Sequence, residues 1–131
     1  MIMLSRLLLA AVAVLFLLIG TGLLFNTTEA AAGMGLVDIT AAGRGTVRAD
    51  IAGFFLGGAL IQLAAVIRTD PSLLWPVQLL LALALAGRLL TLALDGPIAA
   101  GVVGMAVEIT ILLLLAWCKR LWSQQLSLIH I

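Results

Sequence analysis

Four stretches of the chain are almost free of charge, and short polar clusters separate them. They cover about residues 4–25, 49–67, 73–94 and 98–117. Each is near the roughly 20 residues that a helix needs to cross the hydrocarbon layer. The runs are continuous and rich in Leu and Ala rather than alternating, which argues against strands. A backbone in lipid must also satisfy its own hydrogen bonds, and helices do so. Arg68-Thr69-Asp70-Pro71 divides the second run from the third, and Asp95-Gly96-Pro97 makes a tight turn before the fourth. The pattern predicts an all-α membrane protein, an antiparallel bundle of four transmembrane helices in one domain over residues 1–125.

The first run has the positive start of a secretory signal in Arg6 and a possible cleavage site at Ala30-Ala31-Ala32. Its apolar part, residues 7–25, is longer than the 7–15 residues of a signal core. It reads better as a retained helix spanning about 28 Å. The connection over residues 26–48 is long for so small a chain and rich in Ala and Gly, with Leu36, Val37 and Ile39 as apolar points. It reads either as an interfacial segment of one or two helical turns over the outer end of the bundle, or as a plain exposed loop.

Composition narrows the class further. Of 131 residues, 64% are apolar and 10% charged, and the mean hydropathy is +1.30. A soluble domain is about 45–50% apolar and 25% charged. A water-soluble enzyme or a disordered tail is thereby excluded. A net charge of +1 offers no surface for nucleic acid. Cys118 is the single cysteine, so neither an internal disulfide nor a Cys-x-x-Cys metal or redox motif exists. At a membrane boundary it reads as a passive small residue, with acylation as the alternative. No phosphate-binding loop, zinc-ligand or nucleophile–base motif is present, and no cofactor is called for. The final six residues, 126–131, resemble the translation of a sequencing adapter. We set them aside as a non-native tail, His130 among them.

Four crossings put both termini on one side. Arg6, Arg68, Lys119 and Arg120 lie there, against Arg44 and Arg48 on the other. The excess predicts cytoplasmic termini in a cell inner membrane. Trp75, Trp117 and Trp122 fall near the same ends, where aromatic anchors are expected.

The candidate chemistry lies in the outer half. Arg88 sits inside the third run and Glu108 inside the fourth. An ionisable group at membrane depth costs roughly 2.5–3.5 kcal/mol on insertion scales, so such groups face the bundle and pair. Counted from the Asp95-Gly96-Pro97 turn, Arg88 is about 10 Å deep and Glu108 about 15 Å. That difference is within reach of an arginine, and the two are expected to pair. Ala84, Arg88, Thr91 and Asp95 share one helix face, as do Gly101, Gly104 and Glu108. Ala49, Gly53 and Gly57 form a small-xxx-small pattern that allows close helix approach. Gly20, Gly22 and Gly87 read as further packing positions, and Gln62 and Gln78 as interhelical hydrogen-bond donors. Arg48, Asp50, Arg88, Asp95 and Glu108 thus gather toward the outer half. They read either as polar glue that fixes helix register or as an outward pocket that binds a small polar or anionic ligand or relays a proton.

Three segments carry a family resemblance. They are Arg48-Ala49-Asp50-Ile51-Ala52-Gly53-Phe54-Phe55-Leu56-Gly57, then Gly87-Arg88-Leu89-Leu90 with Asp95-Gly96, then Glu108. In this order and spacing they resemble the bacterial membrane family named domain of unknown function 4345, over about residues 4–118. The resemblance implies a small four-helix integral membrane protein and brings no reaction with it. By analogy its architecture is similar to four-helix membrane proteins of the DoxX type, some of which associate with redox enzymes.

Three functions are then expected to compete. One is binding of a small polar ligand or lipid headgroup through the outward cluster. The second is a non-catalytic accessory or assembly subunit beside another membrane protein. The third is a redox component, which would need an external cofactor such as a quinone, because only carboxylates and arginines are at hand.

Overall fold

A computed structural model describes residues 1–129. The elements are α1 (Ile2–Phe25), α2 (Thr27–Gly33), α3 (Ala41–Thr46), a π turn (Val47–Ile51), α4 (Ala52–Arg68), a 3-10 turn (Pro71–Leu73), α5 (Leu74–Asp95) and α6 (Ala99–Ile129). The described residues hold no strand. Four stretches, Ile2–Phe25, Ala41–Arg68, Pro71–Asp95 and Ala99–Ile129, are long and apolar enough to cross a membrane, the mark of a multi-pass membrane protein.

The helix boundaries differ from the expected ones in two places. The second span begins at Ala41 rather than near residue 49, because α3, the π turn and α4 run on as one helical stretch. The fourth continues to Ile129 rather than stopping near residue 117. At 1.5 Å per residue it is about 46 Å long, well beyond the hydrocarbon thickness. Its last residues, 126–129, overlap the segment set aside as a tail, and His130 lies outside the described residues.

The connection between the first two spans holds the helical turns α2 and α3. Ala31 of α2 is buried with Leu23, Val47 and Ala52, so α2 is packed onto the end of α1 and the start of α4. The main core forms toward the other end. There Leu9, Ala65, Leu74, Val77, Leu115, Cys118 and Trp122 come together from four helices. Trp122 is wholly buried, with its indole Nε1 donating to Ser5 Oγ at 2.9 Å. It is therefore a core residue and no interface anchor; Trp75 stays exposed. This contact holds α6 against α1 and carries α6 past its expected end. Cys118 is also fully buried, which removes it from acylation.

Helices α1 and α4 make the closest pair. A Cβ at Gly20 would lie 2.6 Å from Leu56 Cγ, and one at Gly58 3.2 Å from Phe16 Cδ2. Glycine allows the close approach at Gly20, and at Gly58 a Cβ would press on the Phe16 ring. The predicted small-residue face is not the packed one, because a Cβ at Gly53 or Gly57 would meet nothing within 4 Å. Gly58 lies about 100° around the helix from Gly57, and that step turns the packed face away from the Gly53–Gly57 stripe. Arginines tie the pair at both ends. Arg6 Nε donates to the Val66 carbonyl at 3.1 Å, and Arg48 Nε to the Leu24 carbonyl at 3.2 Å. Each charge therefore sits at the C-terminal end of the partner helix, where unpaired carbonyls and the helix dipole favour a cation.

Candidate functional site

The halves of α5 and α6 next to the Asp95-Gly96-Pro97 turn are built differently from their far halves. Between residues 82 and 110 the single buried side chain is Glu108. The two helices hold each other there but stand off from α4. A cavity of about 690 Å³ fills the gap, within the roughly 300–1,000 Å³ usual for small-molecule sites. Phe54 and Phe55 of α4 form one wall, Arg88 and Thr91 of α5 another, and Gly104 and Glu108 of α6 the floor. Gly33, Met34 and Gly35, which follow from α2, border its mouth.

The aromatic wall is stiffened by mutual contact. Phe54 and Phe55 meet edge to face at 5.2 Å between centroids, and Phe55 meets Phe16 of α1 in the same way at 5.1 Å. Such contacts favour one fixed arrangement. The sequence places both phenylalanines in the family-like segment but assigns them no role, since a Phe pair in an apolar span has no periodic signature distinguishing it from lipid-facing residues.

Arg88 and Glu108 meet at 2.7 Å through Nε and Oε1. Gly104 makes this possible. A Cβ there would lie 2.7 Å from Arg88 Cζ, so the guanidinium rests flat on the α6 backbone. Glu108 is 9% exposed, whereas the Arg88 side chain is 44% exposed. Glu108 Oε2 is buried and has no hydrogen-bond partner among the described residues. The contact is thus single rather than the two-pronged form that arginine and carboxylate commonly adopt. No hydrogen bond from Nη1 or Nη2 of Arg88 is found among the described residues, and Arg88 lines the cavity.

The remaining predicted positions are placed apart. Arg48 is exposed and bonded to a carbonyl of α1 rather than to a carboxylate. Asp50 and Asp95 are exposed, and neither borders the cavity. The five-residue cluster therefore reduces to the Arg88–Glu108 pair, the one ion pair among the described residues. The π turn accounts for part of this. By inserting a wider turn at Val47–Ile51, it shifts the register of Arg48 and Asp50 relative to α4. Of the helix faces, Ala84, Arg88 and Thr91 border the cavity, as do Gly101, Gly104 and Glu108. A Cβ at Gly87 or Gly101 would meet nothing within 4 Å, so neither is a packing position. Gln62 donates to Gly58 in its own helix, 3.1 Å away, rather than across helices. Gln78 makes no hydrogen bond among the described residues.

No group of three or more metal-ligating side chains is found among the described residues. No family profile, curated protein or solved structure matches the chain.

Proposed function

We propose that this is an inner-membrane protein that binds a small polar ligand or a lipid headgroup in the cavity between α4, α5 and α6. The helices form an antiparallel bundle with both termini in the cytoplasm, in the manner of the domain of unknown function 4345 family and of DoxX-type proteins. Support for the antiparallel arrangement comes from the α1–α4 contacts, where Gly20 faces Leu56 while Arg6 reaches Val66. Support for the orientation comes from the charge bias alone. Reporter fusions at Gln125 and within residues 26–46 test it, and cytoplasmic activity of the loop fusion contradicts it.

The observation that carries the functional reading is the single-pronged Arg88–Glu108 pair on the floor of an otherwise apolar cavity. Polar glue alone would place both partners in a closed contact. Native mass spectrometry of the full chain released from membranes tests the reading. We expect a small non-protein mass on the parent protein that is lost in Arg88→Met/Glu108→Leu. A bare parent protein, or a mass that persists in the double variant, contradicts it.

A second reading, an accessory subunit beside another membrane protein, is favoured by one observation. The Gly53–Gly57 face of α4 is unpacked, and Gly-xxx-Gly faces let helices approach closely. Gly57→Ile should then shrink the complex seen on a native gel, and an unchanged size argues against this reading.

A further inference from the structure

We infer that the ligand of the cavity is an amphiphile with a small terminal oxyanion, a carboxylate or a phosphate monoester, on an apolar chain. The inference rests on the ligand-binding reading above and names the class of ligand. Three observations lead to it.

The first is the donor set. Arg88 spends only Nε on Glu108, and no hydrogen bond from its terminal nitrogens is found among the described residues. A guanidinium edge with two parallel N–H groups matches two oxygens of one carboxylate or phosphate. Glu108 does not fill that edge as well, because its Oε2 is buried and makes no hydrogen bond among the described residues. The buried carboxylate balances the arginine when the site is empty, and the unengaged edge remains for a second oxyanion.

The second is the wall. Apart from Arg88, Glu108 and Thr91, the cavity is bounded by Ile51, Phe54, Phe55, Leu92, Met105 and other apolar or backbone surface. A free inorganic anion would leave that surface uncovered. An apolar chain attached to the anion would cover it, at roughly 25 cal/mol for each Å² removed from water.

The third is depth. Arg88 lies seven residues before the end of α5 at Asp95, about 10 Å along the helix. A bulky headgroup at the membrane surface would not reach it, whereas a small terminal oxyanion can enter beside Gly101 and Gly104, which carry no side chain into the space.

Equilibrium binding to the full-length protein in phosphatidylcholine nanodiscs tests this. The probes are dodecyl phosphate, dodecanoate, dodecanol and inorganic phosphate. We expect at least one anionic amphiphile to bind about tenfold or more tightly than dodecanol, as charge-assisted hydrogen bonds require. Its preference for phosphate or carboxylate identifies the head. In Arg88→Met/Glu108→Leu the advantage over dodecanol should vanish. Dodecanol binding as tightly as both anions to the parent protein overturns the oxyanion but leaves the ligand-binding reading intact. Inorganic phosphate binding as tightly as dodecyl phosphate overturns the amphiphile. An unchanged advantage in the double variant overturns the role of Arg88. No binding of any probe overturns the inference and, with a bare parent protein in native mass spectrometry, the reading beneath it.

Discussion

Arg88 and Glu108 sit in unequal surroundings, and the inequality has a consequence for stability. Arg88→Ala strands a carboxylate that is 9% exposed, whereas Glu108→Ala leaves an arginine that can turn toward the cavity. Breaking a buried pair costs about 3–5 kcal/mol when the remaining charge stays buried. Arg88→Ala should fall in that range and Glu108→Ala well below it. Arg88→Met/Glu108→Leu should recover most of the loss, because apolar replacement of a buried pair is often neutral. Unfolding midpoints in detergent measure all three; equal losses from the two single changes would contradict the asymmetry. Gly104 gives a sharper contrast. Gly104→Ala must displace the guanidinium from 2.7 Å, while Gly101→Ala, one turn away, meets nothing. The first should loosen the Arg88–Glu108 contact at little cost to the fold, because the displaced group is the far end of a flexible side chain, and the second should be neutral or stabilising by up to about 1 kcal/mol through helix propensity. Depth counting from the Asp95-Gly96-Pro97 turn was enough to foresee the pair. The sequence also grouped Arg48, Asp50 and Asp95 with the pair, and the structure does not, because those three lie where the helix ends and the π turn, not the apolar period, decide direction.

At the level of elements, most of the structure was legible as runs, and the ends of the runs were not. The four apolar stretches are the four long helices, since length and hydropathy alone select them. The extension of α6 was hidden because Lys119 and Arg120 read as a membrane boundary. Beyond them the helix is tied to α1 by a buried bond between Trp122 and Ser5, residues at opposite ends of the chain. Ser5→Ala removes the acceptor with little change in volume and leaves the buried indole N–H unpaired, so a loss of about 1–3 kcal/mol in unfolding free energy is expected. No change would mean that the bond contributes nothing. Asp70 is a smaller device. Its carboxylate accepts from the Ser72 hydroxyl and from the Ser72 N–H, capping the 3-10 turn that leads into α5. These bonds, the hydroxyl first, hold its pKa below the ordinary value. A lowered pKa stabilises the fold above the unfolded value of about 3.9, and the contribution is lost as pH falls through the folded one. Asp70→Asn should therefore reduce the thermal midpoint at neutral pH and converge on the parent in acid. A gap that stays constant across this range would refute the cap.

Across the whole molecule, packing is uneven from end to end. The half nearer the two termini closes around Leu9, Leu74, Leu115 and Trp122, while the half at the Asp95-Gly96-Pro97 turn keeps α5 and α6 apart from α4 and leaves the cavity between them. Hydropathy could not foretell this, because lipid and protein interior select the same side chains. The cavity is what turns a paired arginine and glutamate into a candidate binding site. Its access from the outer side is thus the central claim, and thiol labelling tests it directly. In a Cys118→Ala background, Gly101→Cys lines the cavity and Leu83→Cys, 60% exposed and away from it, faces lipid. A membrane-impermeant maleimide applied to the outer face should label Gly101→Cys, leave Leu83→Cys untouched and be blocked by dodecyl phosphate or dodecanoate. Failure to label Gly101→Cys from either face of the membrane would contradict the account.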